Sequence, residues 1–108
     1  MDWKQARKRI LADPKVREEY EALRPEYELA ISIARLRRRL GMSQREFADL
    51  TGSYQEAVSR WESGSTNPQY LTLFTISTHT GMSLVIHPDA TVEWRESEKK
   101  PALDYAGA

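Results

Sequence analysis

A chain of 108 residues with 40% apolar and 30% charged side chains has the size and composition of one globular domain with tails. Its 16 basic and 16 acidic residues cancel, which excludes a protein that coats nucleic acid by bulk charge, and the lack of cysteine excludes disulfides and thiolate metal sites. No apolar run approaches the roughly 18 residues of a membrane span, and Met1 to Arg9 lacks an apolar signal core, so a cytoplasmic protein with no membrane partner is expected.

Residues 2–12 predict a basic amphipathic helix, with Trp3, Ala6 and Ile10 at i, i+3 and i+7 and Lys4, Arg7, Lys8 and Arg9 mostly opposite. Asp13-Pro14 reads as an N-cap followed by proline at the first helical position. Val16, Tyr20, Leu23 and Tyr27 then form a stripe at helical spacing, which predicts a helix from Pro14 to about Leu23. That stripe packs either on the chain's own core or on a partner. Pro25 predicts a break or kink.

From Glu26 to Leu40 apolar residues cover more than half of the helical circumference, so this helix is expected to be buried on more than one side. Its arginines, Arg35, Arg37, Arg38 and Arg39, either touch phosphates or form a solvated face at a helix C-terminus, where positive charge is favourable.

Ser43 to Gly64 encodes two short helices around a tight turn. Ser43 and Glu46 have the spacing of a capping box, which starts a helix at Gln44, and Gly52 supplies the left-handed conformation that ends it. Phe47, Ala48 and Thr51 mark its inner face. In the second helix Ala57, Val58 and Trp61 point inward, Gln55, Glu56, Ser59 and Arg60 outward, and Gly64 terminates. Small Ala48 allows a close crossing and Gly52 a short connection, the two constraints of a helix-turn-helix.

Asn67-Pro68 predicts the start of a further helix, capped by Asn67, with Leu71, Leu73, Phe74 and Ile76 inward and its end at Gly81. Met82 to His87 alternates like a strand, Pro88-Asp89-Ala90 reads as a turn, and Val92 and Trp94 alternate again, so a hairpin is possible in principle and needs something to lie against. The apolar strand edge suggests a two-fold self-contact or a sheet shared with a partner. The polar residues that follow read as disordered. The resulting division is 1–24, an N-terminal helical extension; 25–81, a helix-turn-helix domain; 82–95, a strand or hairpin; and 96–108, a tail.

Between Tyr27 and His87 the chain resembles the Xre-type helix-turn-helix family of bacterial DNA-binding regulators. The resemblance rests on Gly41-Met42-Ser43-Gln44, Phe47-Ala48, Gly52, Gln55, Val58-Ser59-Arg60, Glu62, Gly64, Asn67-Pro68, Leu73 and Gly81. Ser53, where the family usually has an apolar residue, and Trp61, in place of isoleucine or leucine, depart from it and bear on the tilt of the second helix. The fold implied is mainly α: a five-helix, lambda-repressor-like domain with an N-terminal helical extension and a short C-terminal strand or hairpin. In layout, though not in a sharp motif, the whole chain resembles the HigA-like antitoxins of toxin-antitoxin pairs. Such proteins dimerise, repress their own operon and neutralise a small basic RNA-cleaving toxin of the RelE/HigB-like class. A stand-alone regulator, or an interaction adaptor with little DNA binding, is the alternative.

A helix laid in the major groove presents its N-terminal residues to base edges, and Gln55 is placed to pair bidentately with adenine. Arg60 suits guanine or a phosphate, and Ser59 either. Gln44 matches the family position that clamps a phosphate at a helix N-terminus. Glu56 either accepts from cytosine or closes a capping box with Ser53; Tyr54 either bonds phosphate or is partly buried against Trp61. Glu62 is expected to hold the loop after its helix, and Asn67 to cap and touch phosphate together. An inverted-repeat operator is implied, because one short helix reads few base pairs. Trp3, Val16, Tyr20 and Leu23 are the expected toxin contacts, with Glu18, Glu19 and Glu21 beside them to attract a basic partner. His79 and His87 lack a third ligand, and no nucleophile motif or phosphate loop exists. No enzyme, metal or cofactor is expected.

Overall fold

The computed structural model describes residues 3–102, the side chains of Trp3 and Ile10 excepted. Five helices and a hairpin follow in order: α1 Trp3–Ala12, α2 Pro14–Arg39, α3 Gln44–Thr51, α4 Gln55–Ser63, α5 Tyr70–Thr80, β1 Met82–Ile86 and β2 Val92–Glu96. Asp13 caps α2, its side chain accepting from the Lys15 amide at 2.9 Å, with Pro14 at the first turn.

The expected break at Pro25 does not occur: α2 is a single helix of 26 residues with the proline inside it. Pro25 has no N–H for the Glu21 carbonyl, so one rung is missing. Arg24 compensates locally, lying 3.5 Å from Glu21 and 3.4 Å from Glu28 and so bridging the turns on both sides of the proline. At about 1.5 Å per residue α2 is roughly 39 Å long, and it accounts for most of the 50 Å length of the molecule. Residues 1–24 and 25–81 therefore share a helix.

The core gathers Ile33 and Leu36 of α2, Phe47 and Ala48 of α3, Val58 and Trp61 of α4, Ile76 of α5, Met82 of β1 and Trp94 of β2. Among the described residues the two buried hydroxyls are satisfied within their helices, Ser32 donating to the Leu29 carbonyl at 2.7 Å and Thr51 to that of Phe47 at 2.8 Å. Ser43 and Glu46 form the expected capping box, and Gly52 ends α3 at φ 68°.

Helix α5 begins two residues later than the Asn67-Pro68 signal indicated. Its N-cap is Gln69, whose side chain makes no capping bond, and Pro68 is buried while Asn67 is exposed. Proline sequestered against the core holds the approach to α5 extended, so Asn67 caps nothing. The phase of the helix also differs: Ile76 is its one fully buried residue, and Leu71, expected inward, is exposed.

β1 and β2 pair antiparallel, with Leu84 opposite Trp94 and Ile86 opposite Val92. Asp89 organises the turn by accepting from the amide and hydroxyl of Thr91. The hairpin lies against the helices through buried Met82 and Trp94, and Arg39 Nη1 donates to the Trp94 carbonyl at 2.8 Å. The strand extends to Glu96, and the Ser97 amide donates to Gly81 at 3.1 Å, so the expected disordered tail does not start at 96; residues 103–108 of it lie outside the described residues.

Candidate nucleic-acid interface

Helix α4 turns Val58 and Trp61 into the core, which leaves Gln55, Glu56, Ser59 and Arg60 exposed on the other side. Gln55 and Ser59 stand one turn apart, and so do Glu56 and Arg60. The N-cap is Tyr54, with no side-chain capping bond, so the Ser53–Glu56 capping box does not form. Ser53 instead lies 3.5 Å from the Thr51 hydroxyl. Among the described residues no ion pair joins Glu56 to Arg60, although their spacing allows one; both charged ends face solvent. Tyr54 is 81% exposed, which removes the reading that packs it on Trp61. Its hydroxyl stands at the N-terminal edge of α4.

Gln44 occupies the first position of α3 and is half-buried. Its Nε2 donates to Glu62 Oε1 at 3.2 Å. Glu62 is in turn gripped by Arg37, with Nε to Oε2 at 2.7 Å and Nη2 to Oε1 at 3.0 Å, while Arg37 Nη1 donates to the Met42 carbonyl at 2.8 Å. Glu62 thus holds α2 and α3 rather than the loop that follows it. The hydrogen bond to Glu62 raises the Arg37 pKa above its ordinary value, so the guanidinium is permanently charged. This fork locks the orientation of the Gln44 amide, and the remaining amide hydrogen, together with the positive end of α3, suits a phosphate oxygen.

Arg37 is the member of the site that sequence reasoning misplaced by grouping it with its neighbours. The structure divides that group. Arg37 pairs with Glu62, Arg39 with the Trp94 carbonyl, and Arg35 and Arg38 line an open cleft of about 620 Å³ with Tyr20, Tyr27, Ile31, Ala34 and Glu62. The pairing of residues 25 apart has no local signature.

Asn67 sits in the loop beyond α4 and is not brought against the other candidates, although the Ser65 and Thr66 amides both bond back to the Arg60 carbonyl. Of the expected partner contacts, Val16 and Leu23 are exposed on α2, whereas Tyr20 is only 8% exposed, with the Arg7 guanidinium of α1 6.0 Å from its ring centre. Tyr20 is therefore no anchor on an open stripe. The Trp3 side chain lies outside the described residues. Among the described residues no group of three His, Asp or Glu side chains is arranged to hold a metal ion, and no helix is long and apolar enough to cross a membrane.

An outward-facing second helix, a tight left-handed glycine before it and an anion-ready helix start beside it define a helix-turn-helix protein. Residues 33–86 match the family model described as Helix-turn-helix. A Haemophilus influenzae protein described as an uncharacterized HTH-type transcriptional regulator is 32% identical over 87 residues, which span 81% of this chain and 85% of that protein. No solved structure matches the chain. The chain belongs to the helix-turn-helix family of DNA-binding regulators.

Proposed function

We propose that this protein is a dimeric, operator-binding repressor that also serves as an antitoxin, neutralising a small basic RNA-cleaving protein by direct contact. The observation that carries the DNA reading is the outer face of α4, where Gln55, Ser59 and Arg60 are exposed and unpaired among the described residues, next to a Gln44 amide already oriented by Glu62. Gln55 and Arg60 read base edges, Gln44 and Tyr54 hold phosphates, and Asn67 adds a backbone contact from the following loop. Glu56, free of any cap, accepts from cytosine N4. Two copies read an inverted repeat with half-sites about 34 Å apart, or a multiple of that spacing.

Exposed Val16 and Leu23 beside the exposed carboxylates of Glu18, Glu19 and Glu21 support the antitoxin part. The burial of Tyr20 under α1 favours a second reading, a stand-alone regulator whose extension is structural. Gel shifts test the first part: Gln55→Ala and Arg60→Ala each lose about 1–3 kcal/mol on the operator and relax preference at one position, whereas Gln44→Ala weakens all sequences alike. Equal effects of all three on operator and random DNA remove the reader assignment. The double variant Val16→Glu/Leu23→Glu tests the second part: it keeps operator binding and fails to protect cells from the neighbouring gene's toxin. Full protection by that variant leaves the stand-alone regulator.

A further inference from the structure

The arginines near the end of α2 divide into two pairs. Arg37 and Arg39 donate to Glu62 and to the Trp94 carbonyl, whereas Arg35 and Arg38 are exposed and, among the described residues, have no hydrogen-bond or ion-pair partner. Attraction of positive charge to a helix C-terminus accounts for Arg38, which lies in the last turn, and has faded by Arg35, which does not. Both guanidiniums line the open cleft of about 620 Å³, a volume usual for small-molecule sites.

Along α2 the cleft changes character. Tyr27, Ile31 and Ala34 share one helix face and give it a largely apolar floor, and Arg35 and Arg38 follow one turn beyond Ile31 and Ala34. Its walls are held by contacts within the chain. The exposed Tyr27 ring lies so near the end of α4 that a Cβ on Gly64 would be 3.6 Å from its Cδ1, and Tyr20 is buried with the Arg7 guanidinium 6.0 Å from its ring centre. Glu62, the carboxylate on the wall, already accepts twice from Arg37 and once from Gln44, so it does not neutralise Arg35 or Arg38. An apolar floor that ends at two unpaired guanidiniums is complementary to a ring-bearing molecule with an anionic oxygen head. A basic protein is repelled here, and DNA phosphates would meet the arginines while leaving the floor uncovered. We propose that this cleft binds a small organic anion, its aromatic ring over Tyr27 and Ile31 and its carboxylate or phosphate held by Arg35 and Arg38.

Amide chemical shifts of the isotope-labelled full chain, followed without DNA, test the site directly. Phenylpropionate and phenyl phosphate are expected to give saturable shifts centred on Tyr27, Ile31, Arg35 and Arg38, with dissociation constants on the order of millimolar for molecules of this size, and the tighter of the two names the head group. Phenylpropanol, which lacks the charge, and propionate, which lacks the ring, bind roughly tenfold or more weakly. The double variant Arg35→Gln/Arg38→Gln loses the same factor with its remaining spectrum unchanged, because both side chains are exposed; Lys15→Gln/Arg17→Gln removes two exposed charges elsewhere on α2 and binds as the parent does. No saturable shift below about 20 mM, equal binding of the uncharged probe, or parent-like binding by Arg35→Gln/Arg38→Gln overturns the proposal. Two further results overturn it by naming another occupant. A salt slope of operator binding that falls by about two in that double variant gives the arginines to DNA phosphates. A chain ending at Ala102 that binds phenylpropionate more tightly than the full chain gives the cleft to residues 103–108.

Discussion

Removing the carboxylate of Glu62 tests whether the fork between α2, α3 and α4 serves stability, DNA binding or both. The Arg37 and Glu62 side chains are 14% and 9% exposed, and Glu62→Ala deletes two charge-assisted bonds to Arg37 and one from Gln44. Leaving a largely buried charge without its partner costs about 3–5 kcal/mol, and the residual solvent contact at Arg37 places this case near about 3. For a domain of this size that lowers the melting temperature by about 12–24 °C. Replacing both partners by apolar side chains, Arg37→Met with Glu62→Leu, removes the orphaned charge, so the double variant melts well above Glu62→Ala. It does not restore the acceptor for Gln44. Thermal melts followed by circular dichroism, with gel shifts on operator and random DNA, therefore separate the two roles: stability returns in the double variant, while binding to all sequences stays weak. A melting temperature for Glu62→Ala within about 3 °C of the parent refutes the energetic argument. Parent-like DNA binding by the double variant refutes the part assigned to the Gln44 orientation.

Hydrogen bonds from the Ser43 amide and hydroxyl hold the Glu46 carboxyl below its ordinary 4.5, so its stabilisation is present above about pH 4.5 and is lost as pH falls through the lower folded value; melts in that acid range are expected to be shallower in pH for Glu46→Gln than for the parent, and identical slopes would count against the capping box. Pro25→Ala restores the missing rung from residue 25 to the Glu21 carbonyl and relieves the ring clash, at the expense of a freer unfolded chain; a net gain of about 1–2 kcal/mol in urea denaturation is expected, and a loss would mean that α2 needs a bend there.

The helix-turn-helix was legible because its determinants are local. Ser43 and Glu46 cap at a fixed spacing, Gly52 and Gly64 take left-handed backbone at φ 68° and 79°, and the periodicity of Phe47, Ala48, Thr51, Val58 and Trp61 gives the buried faces directly. The hairpin was legible for the same reason, as alternation around a turn. Three features were not, and in each another contact or another residue outweighs the signal read. Pro25 does not break α2, because packing of its C-terminal half and the Arg24 ion pairs outweigh one absent rung. Asn67-Pro68 does not start α5, because Pro68 is taken into the core. The Ser53–Glu56 spacing does not cap α4, because Tyr54 occupies the cap position. The Arg37–Glu62 fork was beyond a sequence pattern altogether, since it depends on how one helix is laid on another, and the stripe that includes Tyr20 left open whether it packs on its own chain.

The continuity of α2 bears on how the partner proposed for the extension would influence DNA binding. Val16 on its first half and Arg37 on its second are 21 residues apart, about 32 Å along one helix. That is more than three Debye lengths at physiological salt. Charge brought by a partner to Glu18, Glu19 or Glu21 is therefore screened before it reaches the fork that holds Gln44. A mechanical route is available instead, because Ile33 and Leu36 anchor the same helix in the core and Arg37 ties it to Glu62 on α4. A rod clamped at one end transmits displacement of its free end to the clamp, and at Pro25 that rod lacks one backbone rung. Coupling between partner and operator must then act by moving α2 against α4 or by crowding the DNA, and in either case its dependence on salt is no steeper than that of DNA binding itself.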